Sequence, residues 1–150
     1  MPGGATRTES VSCGIAAVPA DTEVILVHDA ARPFARPELF AAVVDAVRAG
    51  ADGAVPAIPL ADTVKEVDPH GVVVATPPRA SLVAVQTPQG FRARALRAAH
   101  MQGGEGTDDA ALVEAIGGRV VTVAGDPANR KLTVPDDLAW ARQRVVGERR

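Results

Sequence analysis

Glu23-Val24-Ile25-Leu26-Val27-His28-Asp29-Ala30-Ala31-Arg32-Pro33 is the stretch on which the fold turns. Val24 to Val27 is an unbroken apolar run of strand length. It lacks the polar alternation of a half-exposed strand, as expected for a strand covered on both faces of an α/β sheet. Pro33 and Pro37 punctuate the loop that follows. Asp29 thus lies just past the carboxyl end of a buried strand, where open α/β sheets place their ligand crevice.

Outward from this strand, strand and helix signals alternate. Leu39, Phe40, Val43, Val44 and Val47 recur at helical spacing with Gly50 as the stop, and Gly53 to Pro59 is a second short apolar run. Thr63 to Val67 and Val72 to Thr76 flank Asp68-Pro69-His70-Gly71, which is turn chemistry and predicts an antiparallel hairpin inserted in the α/β pattern. A helix is expected from Arg92 to Met101, after Thr87-Pro88-Gln89-Gly90. Another is expected from Thr107, with Thr107 as its N-cap and Asp108 and Asp109 at the positive end of its dipole. Val120 to Val123 predicts a strand, and Pro135 the first turn of a last helix running towards Val145. The alternation predicts a mostly parallel sheet with flanking helices. No internal repeat or linker divides the chain.

Composition narrows the function classes. The 150 residues are 47% hydrophobic and only 3% aromatic, so a single domain must build its core from Val, Leu, Ile and Ala. A net charge of −2 leaves no basic footprint for nucleic acid, and no charge block suggests a membrane surface. Cys13 is the one cysteine, which excludes an internal disulfide. The start, Met1-Pro2-Gly3-Gly4, has no basic or apolar leader segment, and no apolar run is long enough to span a bilayer. A cytoplasmic protein is expected.

Several residues could carry chemistry. Asp29 could hold a magnesium ion bridging phosphates, the small Ala30 and Ala31 leave room for a ligand, and Arg32 supplies a fixed cation. Alternatively, Asp29 caps a turn and Arg32 only pairs with it. Gly3-Gly4 with Arg7 and Ser10 sits at a helix start, where backbone amides and a hydroxyl could bind a nucleotide's phosphate or ribose; Ser10 could equally be a helix cap. Arg79, Thr87, Thr107 and Lys131 are scattered polar residues, and each alone is more often a surface or capping residue than a ligand. His28, His70 and His100 make no metal-ligand spacing, and His28 is expected to face the core without a catalytic role.

Taken together and in order, these segments resemble the 2-C-methyl-D-erythritol 4-phosphate cytidylyltransferase family. The resemblance runs from Gly3-Gly4, Arg7 and Ser10-Val11, through Val27 to Pro33 and Asp62-Thr63-Val64-Lys65. It continues through Thr87-Pro88-Gln89, Thr107-Asp108 with Ala110, and Asp126 with Asn129, Lys131, Thr133, Pro135, Asp137 and Leu138. It implies a Rossmann-like nucleotidyltransferase fold in which CTP and methylerythritol phosphate give the CDP-linked alcohol and pyrophosphate, with Mg2+. By the same resemblance Gly4, Arg7 and Ser10 bind the cytidine nucleotide. Asp29, Ala30 and Arg32 contact the acceptor sugar phosphate, Asp29 also being the candidate metal ligand. Arg79 and Lys131 position that acceptor for attack, and Thr63, Thr87 and Thr107 make polar contacts around it. The hairpin becomes an arm, roughly 61–86, that crosses to a second subunit of a homodimer.

One departure from the family pattern bears on activity. The family's first strand and its glycine-rich loop followed by Arg and Pro-Lys have no counterpart here. The chain is therefore expected to be a partial nucleotidyltransferase domain lacking N-terminal strands, with little CTP turnover by itself. The competing expectations are a ribitol 5-phosphate cytidylyltransferase and a non-catalytic sugar-phosphate-binding or dimerisation fragment.

Overall fold

The computed structural model describes residues 2–103 and 106–147, the side chains of residues 146 and 147 excepted. Five helices and seven strands follow in the order α1 (Arg7–Ala17), β1 (Val24–Val27), α2 (Pro37–Arg48), β2 (Gly53–Pro59), β3 (Glu66–Val67), β4 (Val73–Ala75), β5 (Val83–Val85), β6 (Gln89–Arg92), α3 (Ala93–Met101), α4 (Asp109–Ala115), β7 (Val120–Ala124) and α5 (Pro135–Gly147), with a single 3-10 turn at Arg79–Ser81.

The central sheet is mixed rather than mostly parallel. Strands β1 and β6 pair antiparallel, as do β2 and β6 and β2 and β5, whereas β2 and β7 are parallel. The reason lies in the segment that returns from the hairpin. Residues 83–92 run back along one edge of β2, first as β5 and then as β6, and β6 inserts between β2 and β1. Strands β1, β2 and β7 therefore point the same way, as their apolar runs suggest, and a strand of opposite direction separates the first two. Thr87-Pro88-Gln89-Gly90, to which the sequence assigned no element, is the buried entry to β6, with a cis peptide bond between Thr87 and Pro88.

Helices cover both faces. On one face α2 buries Leu39, Val43 and Val47, one residue per turn, with Val43 and Val47 packed against Ala54, Val24, Val121 and Val123. Each such side chain stabilises by about 1.5–3 kcal/mol on burial. On the other face Ile15 of α1, Leu96 and Ala99 of α3, and Ala110, Leu112 and Val113 of α4 close over Ile25, Val55 and Phe91. Alternation along β1 thus gives both faces an apolar residue, which is why its sequence run is unbroken. Leu26 is nevertheless 37% exposed, because among the described residues β1 has a partner strand on one side only. Gly90 is demanded by this packing: a Cβ there would lie 2.4 Å from Val43 Cγ1 and 2.9 Å from Leu26 Cδ2.

Outside the sheet, β3 and β4 form a separate antiparallel hairpin. Asp68 Oδ1 accepts from the amides of His70 and Val72 across its turn, and Gly71 takes a positive φ of 82°. No described helix is long and apolar enough to cross a membrane.

Candidate active site

Beyond β1 the chain turns over Asp29, and four polar side chains converge there. Lys131 Nζ lies 2.8 Å from Asp29 Oδ2. The Asp29 amide donates to Thr87 Oγ1 at 3.0 Å. His28 brackets the same point, with Nε2 3.1 Å from the Arg32 carbonyl and Nδ1 3.1 Å from Thr87 Oγ1. A carbonyl oxygen only accepts, so Nε2 donates to it. The Thr87 oxygen accepts from the Asp29 amide and is hydrogen-bonded to Nδ1, so it joins both neighbours. His28 is thus an exposed bracket packed against Phe40, with ring centroids 5.2 Å apart, and does not face the core.

Arg32 is held from the other side. Its Nη1 donates to the Asn129 carbonyl at 2.8 Å, and the Ala31 carbonyl accepts from the Leu132 amide at 2.8 Å. The loop that carries Lys131 is therefore strapped to the loop that carries Asp29 and Arg32. Burial alone would raise the Asp29 carboxyl. The hydrogen bond and charge of Lys131, with the charges of Arg7 and Arg32, outweigh it and hold that carboxyl below its ordinary range. Burial lowers the Arg32 guanidinium from its ordinary value, partly opposed by Asp29. Asp29 pairs with Lys131 and Arg32 remains beside it, so the surface keeps surplus positive charge suited to a phosphate.

That balance bears on the metal. Among the described residues no three His, Cys, Asp or Glu side chains come together as a metal site, and the Asp29 carboxylate is already paired with Lys131. Asp29 thus offers a single carboxylate, which suits a magnesium ion whose remaining ligands come from phosphate oxygens and water.

The glycine pair meets α1 at its start. Thr6 and Glu9 form a capping box, Thr6 Oγ1 accepting from the Glu9 amide and Glu9 Oε2 from the Thr6 amide. Ser10 is accordingly not the cap. Its hydroxyl accepts from the Gly4 amide at 3.1 Å, and a Cβ on Gly4 would lie 2.2 Å from Glu9 Cβ. Arg7 reaches away from the loop to Asp109 Oδ2 at 2.7 Å. Asp109 is fully buried, and its other oxygen lies 2.9 Å from His100 Nε2, whose Nδ1 meets Ser12 Oγ at 2.8 Å. Thr107 is exposed, and Asp108 takes the capping position expected of it, accepting from the Ala111 amide. Asp108 also accepts from Gln89 Nε2 at 2.8 Å, which ties the start of α4 to β6.

The structure thus brings Asp29, Arg32, Thr87 and Lys131 together, with Arg7 near enough for its charge to be felt at Asp29. It does not bring Thr63 or Arg79 to them. Both are exposed on the hairpin segment, where Arg79 Nη1 donates to the Ala61 carbonyl at 2.7 Å. Sequence reasoning missed the bracketing role of His28, the buried Asp109 and His100, and Gln86. The one available signal was composition: polar side chains in an apolar context at 86–89 and 108–109.

An α/β domain with a cationic, phosphate-receptive crevice at its strand ends defines the class. The family model described as 2-C-methyl-D-erythritol 4-phosphate cytidylyltransferase (IspD) matches residues 1–146. The chain belongs to that family. It is 55% identical over 139 residues to 2-C-methyl-D-erythritol 4-phosphate cytidylyltransferase of Nocardia farcinica, covering 93% of this chain and 60% of the relative. It is also 55% identical over 141 residues to a bifunctional enzyme IspD/IspF of Nitratidesulfovibrio vulgaris, covering 91% of this chain and 35% of that protein. The crystal structure of the Thermus thermophilus cytidylyltransferase matches with a TM-score of 0.85 at 38% identity, over 97% of this chain and 72% of that one. The chain thus spans between about a third and three fifths of the length of these two sequence relatives.

Proposed function

We propose that this chain supplies the acceptor side of cytidylyl transfer, in which a phosphate oxygen of 2-C-methyl-D-erythritol 4-phosphate attacks the α-phosphorus of CTP. One P–O bond forms, the bond to the β-phosphate oxygen breaks, and pyrophosphate leaves with that electron pair. The nucleophile is already an anion, so no general base is required. The site must instead align two anionic groups and offset their charge.

The observation that carries this reading is the Lys131–Asp29 pair set between Arg32 and Thr87. Asp29 holds Lys131 at the crevice in the absence of substrate. An arriving phosphate shares Lys131 and Arg32, while Asp29, Ala30, Thr87 and Thr107 contact the rest of the acceptor. Gly4, Arg7 and Ser10 take the cytidine nucleotide. Mg2+ would be held chiefly by phosphate oxygens of the nucleotide, with Asp29 as its candidate protein ligand. Arg79 lines a cleft of about 650 Å³ at the base of the hairpin with Pro59, Leu60, Leu82 and Val83. With Thr63 it serves the site of a second subunit in a homodimer. The sequence holds no glycine-rich loop followed by Arg and Pro-Lys, so the 150 residues alone are expected to turn over CTP slowly.

Calorimetry tests the reading directly. Methylerythritol 4-phosphate should bind the chain in preference to ribitol 5-phosphate, and Lys131→Ala and Arg32→Ala should each weaken binding by roughly tenfold or more, the size of a lost charge-assisted hydrogen bond. Failure of the unaltered chain to bind methylerythritol 4-phosphate defeats the proposal. Preference for ribitol 5-phosphate reassigns the acceptor. Pyrophosphate release at an ordinary enzymatic rate would overturn the expectation of slow turnover.

A further inference from the structure

Asn129 is completely buried in the loop that precedes Lys131. Its backbone and side chain touch each loop that builds the crevice. The side-chain Nδ2 donates to the Thr87 carbonyl at 2.8 Å and approaches Gln86 Oε1 at 3.5 Å. The Asn129 carbonyl accepts from Arg32 Nη1 at 2.8 Å, and its amide donates to the Asp126 carbonyl at 2.9 Å. Both groups facing the side-chain nitrogen are acceptors, so the orientation of the amide follows from its partners. The opposite oxygen, Oδ1, is buried with no hydrogen-bond partner among the described residues. A buried, half-satisfied polar side chain costs stability, and an apolar residue of similar volume would avoid that cost. The gain that offsets it is geometric: one side chain fixes Thr87, and hence the amide of Asp29, relative to Arg32 and Lys131.

We propose that Asn129 is the positioning residue of the acceptor site, acting through Thr87 and Arg32 without touching the substrate. This inference rests on the sugar-phosphate reading of the crevice given above. Asp126 begins the loop, anchored by a reciprocal pair with Gln86, whose Nε2 donates to the Asp126 carbonyl while Oε1 accepts from the Asp126 amide. Leu132 ends it on Ala31. Among the described residues of the loop between these anchors, Asn129 is the one that bonds Thr87, so its side chain fixes Thr87 against the straps that hold Lys131 beside the Asp29 turn.

Asn129→Asp is the discriminating variant, because it keeps shape and places an oxygen against two acceptors. An ionised carboxylate there repels the Thr87 carbonyl and Gln86 Oε1. Burial raises the pKa of that carboxyl, and the protonated form regains a donor for Thr87. Calorimetry on the whole chain, at a temperature where circular dichroism shows the variant folded, should give a dissociation constant for methylerythritol 4-phosphate raised roughly tenfold or more at pH 8. The ratio of variant to unaltered constants should shrink at pH 5.5, a comparison that cancels the titration of the ligand's own phosphate. If Asn129→Asp does not fold, Asn129→Ser, whose hydroxyl is too short to reach Thr87, should show the same weakening without the recovery at pH 5.5.

Unchanged affinity in a folded variant overturns the positioning role and leaves the proposed function standing. Unfolding of both variants also overturns it, since Asn129 would then hold the fold rather than the site. Absence of binding by the unaltered chain removes this inference together with the function it rests on, and that control separates the two failures.

Discussion

At the residue scale, the site is held by side chains that make several hydrogen bonds at once. Thr87 accepts from Asp29 and is hydrogen-bonded to His28, and Asp137 accepts from the amides of Thr133 and Val134 and from the Thr133 hydroxyl. Those backbone hydrogen bonds, with the charge of Arg130, outweigh burial and hold the Asp137 carboxyl below its ordinary value of 3.8. A carboxyl depressed in the folded state contributes stability that is present above its unfolded pKa and is lost as pH falls through the folded one. The urea midpoint of the chain should therefore drop between about pH 5 and pH 3. Asp137→Asn should begin lower at pH 7 and lose less over that interval. Parallel curves for the two proteins would show that Asp137 does not set the acid limb. A second test concerns Gly90: Ala there meets Val43 and Leu26 inside hard-contact distance and should destabilise by about 1–3 kcal/mol, read from the denaturant midpoint. Asp29 and Arg32 were legible in sequence, because a polar pair after an apolar strand is a local pattern. His28 was not, because its partners Thr87 and Arg32 come from two different loops.

At the element scale, most boundaries followed from periodicity and punctuation. Helix α2 begins at Pro37 and ends before Gly50, which takes a positive φ of 121°, and both limits were readable from Pro and Gly. Strand β6 was not readable. Gln89-Gly90-Phe91-Arg92 has low strand propensity, and it is a strand because two neighbours bury it. Tertiary context overrode local preference. The same holds for the start of α4, where Asp108 rather than Thr107 caps the helix while also reaching β6 through Gln89. Asp109, one residue on, ties α4 to α1 through Arg7 and to α3 through His100. Asp109→Ala should cost about 3 kcal/mol, the lower end for a broken buried ion pair, since Arg7 is partly exposed and can turn to water. The loss should appear in the denaturant midpoint, and a second substitution, His100→Ala, should add less than it does alone, because the two share one contact. Simple additivity of the two would show that α1, α3 and α4 are not coupled at this point.

At the scale of the whole molecule, the distribution of apolar surface separates the sheet from the hairpin. Core residues such as Val43, Phe91, Leu96 and Val113 are fully buried, whereas Val67, Val72, Val73 and Val74 are 53–63% exposed. Four large apolar side chains on one short hairpin, joined by exposed Val83 and Val85 where the chain re-enters the sheet, are more than scattered surface apolarity. Thr63 and Arg79 lie on the same segment and away from the Asp29 cluster. The proposed homodimer would account for both facts if a second copy covered the hairpin and received Thr63 and Arg79 beside its own crevice. Sedimentation of the chain should then be concentration-dependent, with a dimer at high concentration. Val73→Asp with Val74→Asp should shift it to monomer without changing the thermal midpoint by more than a few degrees, since neither side chain belongs to the central core. In mixed samples, a chain carrying Lys131→Ala and a chain carrying Arg79→Ala should form some dimers with one intact composite site. Such mixtures should bind methylerythritol 4-phosphate better than either variant alone, and equal binding would show that each chain completes its own site.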